Sequence, residues 1–159
     1  RTGTRNAHHQ ARIVYIGQHF DFVRDAGISD RGSPAALQLN AVSLVQSKFK
    51  SMSVDSIRQR LGAFGVFGDM AVQPILTLSG GQKMRLSIAL AAMREPHILL
   101  LDEVTQHLDY QTIEALIVAL KAYTGAVVFV SHDEFFVQQV QPQIIWKAGN
   151  GQITESHTM

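Results

Sequence analysis

Leu78-Ser79-Gly80-Gly81-Gln82, then one apolar helix, then Ile98-Leu99-Leu100-Leu101-Asp102-Glu103: this run decides the fold. From Gln82 to Arg94 the sequence is apolar on nearly every side beyond Leu86, which predicts a buried helix stopped by Pro96. Ile98 to Leu101 reads as a buried strand. Ile113, Leu116, Ile117 and Leu120 then mark an amphipathic helix, Gly125 breaks it, and Ala126 to Val130 reads as a second fully buried strand. Strand alternating with helix predicts an α/β fold with a parallel sheet, and such folds place ligands beyond the carboxyl ends of their strands.

Upstream, Ile13-Val14-Tyr15-Ile16 is a β-favouring run stopped by Gly17, read as a strand leading into a functional loop. Ser33-Pro34 looks like a helix start, with Leu37, Ala41, Leu44 and Val45 recurring at helical spacing. A further helix begins at Ser53, with Val54, Ile57 and Leu61 on one face, Asp55 near its positive end and Gly62 as a stop. Residues 29 to 75 are thus expected to form a small helical region. Downstream, Ile144-Ile145-Trp146 and Gln152-Ile153-Thr154 flank Gly149-Asn150-Gly151 as a hairpin. No internal repeat or low-complexity tract interrupts this order.

With 159 residues, 46% of them hydrophobic, the chain suits one domain with a buried core. Its net charge of +1, from 14 Lys+Arg and 13 Asp+Glu, gives no argument for a nucleic-acid or acidic membrane partner. The absence of cysteine excludes disulfides, thiolate metal sites and a cysteine nucleophile. The longest apolar stretches fall short of the roughly 20 residues that cross a bilayer. The chain opens on Arg1 with no charged-then-apolar leader, which is read as an absent signal peptide and an expected fragment.

Four features could carry chemistry. Ser79, Gly80 and Gly81 stand where unpaired N–H groups and the positive end of a helix face outward, an anion-binding device, though Ser-Gly-Gly alone is also an ordinary N-cap. Asp102 and Glu103 close a strand, where Asp suits Mg²⁺ and Glu can deprotonate a water; a strand-end carboxylate can equally cap the next turn. His132, after Ser131, could bond a phosphate or simply sit at the start of the next helix. Gln18 could reach a metal-bound water from its loop, though a lone loop glutamine is usually only solvated. Their joint order is what argues for function. His8-His9 reads as solvated loop, Phe135-Phe136 and Trp146 as core rather than a stacking platform, and Lys48 with Lys50 as too few charges for a nucleic-acid surface.

Taken together these residues resemble the ATP-binding cassette superfamily across nearly the whole chain. Gln18 matches the Q-loop, Leu78 to Gln82 the signature motif and His97 to Glu103 the Walker B strand. Thr105-Gln106-His107-Leu108-Asp109 matches the D-loop region, and Val130-Ser131-His132-Asp133 the switch histidine. Ile16-Gly17-Gln18-His19-Phe20, Leu61-Gly62 with Phe64-Gly65, Gln73-Pro74-Ile75 and Ser131-His132-Asp133-Glu134 look more narrowly like the second cassette of the ABC-F subfamily. The resemblance implies a P-loop NTPase-like nucleotide-binding domain, here an incomplete parallel sheet with a small helical subdomain. Residues 1–159 would be a partial cassette, with residues 97–159 carrying the Walker B, D-loop, switch and hairpin parts.

It also implies a cytoplasmic tandem-cassette ATPase, using ATP and Mg²⁺ and associated with ribosomes or translation. Two cassettes would sandwich each nucleotide. Ser79, Gly80, Gly81 and Gln82 would act on ATP held by the partner cassette, and Asp109 would take part through the D-loop. Gln18 and Asp102 would hold the metal of the chain's own nucleotide, with Glu103 as base and His132 beside it. Two departures stand out. No Gly-x-x-x-x-Gly-Lys-[Ser/Thr] loop occurs in the sequence, so the chain by itself is expected to be inactive as an ATPase. Val104 and Gln106 stand where the ABC-F pattern has Pro and Asn, which frees the turn after Glu103. A transporter ATPase and a non-catalytic binding module are the competing expectations.

Overall fold

The computed structural model describes residues 8–17, 21–106, 108–149 and 151–157. In chain order these give β1 (Ile13–Ile16), α1 (Phe22–Asp25), α2 (Pro34–Gln38), α3 (Ala41–Lys48), α4 (Val54–Gly62), α5 (Asp69–Val72) and a 3-10 turn (Ile75–Thr77). There follow α6 (Gly80–Met93), β2 (Ile98–Asp102), α7 (Tyr110–Ala122), β3 (Ala126–Val130), α8 (Glu134–Val140), β4 (Ile144–Gly149) and β5 (Gln152–His157).

β1, β2 and β3 form a parallel sheet in that order, with Val14 opposite Leu99 and Leu99 opposite Val127. The expected α/β architecture is what the structure holds. Side chains alternate across a strand, so Val14, Ile16, Leu99, Leu101, Val127 and Phe129 share one face. Against that face lie Met84 and Ala91 of α6, Leu116, Ile117 and Leu120 of α7, and Phe136 of α8. A second core fills the helical region, built on Leu44 and Val45 of α3, Ile57 and Leu61 of α4, and Leu86 and Leu90 of α6. Because α6 feeds both cores, its sequence is apolar almost all round.

Several expectations change. Ala126 to Val130 is not fully buried: β3 alternates, and Val128 and Val130 are 44% and 56% exposed. Among the described residues it is an edge strand, and none of their elements covers the sheet's second face. The periodic set Leu37, Ala41, Leu44 and Val45 spans two helices. The chain turns at Leu39-Asn40, where Asn40 and Ser43 make a reciprocal capping box at the start of α3, and Leu37 is left exposed. α4 does include Gly62 as its last residue, but the left-handed turn comes at Gly65, φ +73°, where the Val66 amide reaches back to the Leu61 carbonyl. Phe136 is core, whereas Trp146 lies exposed on the hairpin with its indole N–H on Glu155 at 2.9 Å. A two-stranded ribbon has no inner layer in which to bury a ring of that size.

Candidate functional site

The carboxyl ends of β2 and β3 bring three of the expected residues together. β2 ends on Asp102, opposite Val130, and the next amide, that of Glu103, still bonds the Val130 carbonyl at 2.9 Å. The chain then leaves the sheet through Glu103 in the left-handed region, φ +52°. Non-glycine residues occupy that region at a cost of about 1–2 kcal/mol. A following proline disfavours it, and here the following residue is Val104, fully buried in the sheet core.

Glu103 is 7% exposed. Its Oε2 accepts the His132 amide at 3.3 Å, and His132 Nε2 stands 3.2 Å from Oε1. That second approach is close enough for a charge contact once the imidazole is protonated. Its geometry makes no hydrogen bond, so Oε1 remains buried without a donor. Burying such an atom costs about 1–3 kcal/mol, and groups of this kind recur where a further ligand or water belongs. His132 itself is exposed. Asp102 is half-buried, and its Oδ2 accepts the Tyr15 hydroxyl at 2.7 Å across β1 and β2.

Ser79 is the N-cap of α6, and Gly80 and Gly81 lie inside its first turn rather than before it. The Ser79 Oγ accepts the Gln82 amide at 3.2 Å while Gln82 Oε1 accepts the Ser79 amide at 2.9 Å. Gln82 is therefore a capping residue, and two first-turn donors are already used by the box. The Gly80 and Gly81 amides have no acceptor within the helix, and the exposed Ser79 hydroxyl keeps its proton to donate.

Asp109 caps α7, with Oδ1 accepting the Thr112 amide at 2.9 Å and hydroxyl at 2.7 Å. Its Oδ2 pairs with the Arg85 guanidinium of α6. The Thr112 bonds, and after them Arg85, hold the Asp109 carboxyl below the ordinary carboxylate range. Gly65 sits over the same guanidinium, at 3.3 Å from Arg85 Nη1 for a Cβ built there. Asp109 at the start of α7 is thereby tied to Arg85 of α6 within one chain. Gln18 and His107 lie outside the described residues.

Tyr15, Arg85 and the half-buried Ser131, whose hydroxyl lies 3.4 Å from that of the buried Thr105, join these residues without having been singled out in the sequence. Each meets its partner across a large gap in sequence, so no local pattern marks it. A cavity of about 640 Å³ between α6, α7 and the covered sheet face, lined by Ile88, Leu99, Leu116 and Tyr123 among others, includes none of Ser79, Asp102, Glu103 or His132. The site is instead an open rim at the strand ends. Among the described residues no three His, Cys, Asp or Glu gather as a metal cluster. Mg²⁺ is commonly held by one or two carboxylates with phosphate and water, and Asp102 fits that mode.

The sequence model of the ABC transporter family matches residues 2–106. ATP-binding cassette sub-family F member 3 of Mus musculus is 39% identical over 152 residues, covering 96% of this chain and 20% of its own length. ABC transporter F family member 4 of Dictyostelium discoideum is 38% identical, over 90% of this chain and 12% of its own. The chain thus spans a fifth or less of the length of these relatives. In three dimensions it matches a dimeric bacterial ABC transporter cassette at TM-score 0.64 and 26% identity, over 77% of this chain and 58% of that one. A dimeric cassette in a post-hydrolysis state bound to ADP and Pi gives TM-score 0.67 at 23% identity, over 94% of this chain and 64% of that one, a likeness of fold. With the signature run, the strand-end carboxylates and this sheet order agreeing, the chain belongs to the ATP-binding cassette family, among relatives of the ABC-F branch.

Proposed function

We propose that this chain supplies the hydrolytic and trans-acting parts of an ATP site in a cytoplasmic tandem-cassette ATPase of ABC-F type. The observation that carries the reading is Glu103, a buried carboxylate with an unsatisfied oxygen, set between Asp102 and His132 at the strand ends. Glu103 takes the proton of the attacking water and His132 orients that water and the terminal phosphate. Mg²⁺, when bound, neutralises charge on the phosphates and is held by Asp102, with Gln18 as a second contact. Ser79, Gly80 and Gly81 meet the phosphates of ATP carried by a second cassette, with Gln82 holding their turn in shape. Asp109, locked to Arg85, relays the position of one trans-acting loop to the other. The helical region of residues 29 to 75 presents the signature turn. Without a phosphate-binding loop in its sequence, the 159-residue chain alone does not turn over ATP.

The test is Glu103→Gln in the longer protein that pairs two cassettes. ATP binding persists, turnover falls by roughly 10²–10⁴-fold, and the cassettes lock together as judged by sedimentation with ATP. Hydrolysis at the unsubstituted rate overturns Glu103 as base. Association with ribosomes is proposed from the ABC-F likeness and is checked by ATP-dependent co-sedimentation with ribosomes. Purification with a membrane permease instead favours a transporter engine.

A further inference from the structure

We infer that Tyr15 is a positioning residue for Asp102, and that position 17 is glycine so that the tyrosine ring can reach it. The inference rests on Asp102 as the metal carboxylate proposed above. β1 and β2 run parallel with Tyr15 opposite Leu100, so Asp102 is the next residue of β2 on the same face. The Tyr15 ring reaches across to the neighbouring strand, and its hydroxyl closes on Asp102 Oδ2 at 2.7 Å. A phenol donating to a carboxylate is a charge-assisted bond. It sets the plane of the carboxylate and engages one oxygen, leaving Oδ1 to face a metal or its water.

Gly17 supplies the second observation. Its backbone is not left-handed, so no turn conformation demands glycine there. A Cβ at position 17 would lie 2.4 Å from the Tyr15 hydroxyl oxygen and 2.7 Å from Cε1 and Cζ. Any side chain at 17 must push the ring off its present course, and the bond to Asp102 with it. Glycine and tyrosine two positions apart on β1 therefore serve one carboxylate on the neighbouring strand. Partners that orient a metal ligand in this way are typically worth 10–100-fold in metal affinity.

The 159-residue chain is labelled with ¹³C and titrated with Mn²⁺ alone, following paramagnetic broadening of the Asp102 carboxyl resonance. Tyr15→Phe removes only the hydroxyl, and Gly17→Ala keeps it while displacing the ring. Both variants are expected to keep the native amide spectrum and to need about tenfold more Mn²⁺ for half-broadening. A Tyr15→Phe chain that broadens at the unsubstituted Mn²⁺ concentration overturns the role, even if its thermal stability falls, because a merely structural bond would act on Tm alone. Asp102 left sharp by Mn²⁺ in the unsubstituted chain also overturns it. The role of Glu103 is read separately, from turnover and locking of Glu103→Gln.

Discussion

At Glu103 two costs coincide, a left-handed backbone and a buried oxygen without a donor. Glycine and alanine at 103 both delete the buried side chain and the acceptor of the His132 amide, but only glycine is at ease in the left-handed backbone, so Glu103→Gly is expected to be more stable than Glu103→Ala by about 1–2 kcal/mol in urea unfolding. Equal stability of the two variants would mean that the backbone at 103 carries no strain. Asp109 makes a different kind of prediction. Its carboxyl is lowered on folding by Thr112 and then Arg85. A lowered carboxyl contributes stability that is complete above the unfolded value, about 3.9, and lost as pH falls through the folded one. The gap in urea midpoint between Asp109→Ala and the unsubstituted chain should therefore be full near neutrality and shrink below about pH 4. A gap that is constant down to strong acid would show that the charge is not responsible.

The element that links these residues is α6. Its first turn carries the capping box of Ser79 and Gln82, its middle sends Arg85 to Asp109, and its apolar sides enter two cores. Ser79→Ala breaks the box and is expected to cost about 1 kcal/mol, a loss that shows as a lower Tm before any nucleotide is added. Leu86, fully buried in the helical core, should cost about 2–5 kcal/mol when cut to Ala. If Leu86→Ala cost no more than Ser79→Ala, α6 would not be the packed hinge between the cores. The sequence showed this helix as apolar on nearly every side from Leu86 onward. Why it is so depends on which neighbours flank it, and those include α4 and β1, far off in sequence.

Over the whole molecule the sheet is covered on one face alone by the described residues. Tyr15, Val128 and Val130 look outward on the other, whereas Phe136 packs edge-on to Phe129 with ring centroids 5.3 Å apart. Val128→Lys should then change stability by no more than about 0.5 kcal/mol, and Phe136→Ala should cost about 3–5 kcal/mol, both read from urea unfolding. Equal costs would place a partner layer over the open face. Among the described residues no helix is long and apolar enough to cross a membrane.

The α/β order, the strand ends at Asp102 and Val130 and the signature turn were all legible in the sequence, because each is a local pattern of apolar period, cap and breaker. Position along the chain also put Glu103 and His132 at strand ends. Burial of β3, the place of Trp146 and the split of the helix after Ser33 were not legible, since a run of valines reads the same at the edge of a sheet as at its centre. Nor were Tyr15 on Asp102 and Arg85 on Asp109, whose partners lie 87 and 24 residues away. Propensity and period act over a few residues. Which side of a strand is covered, and which carboxylate a hydroxyl meets, is decided when distant segments pack, and that belongs to the tertiary structure.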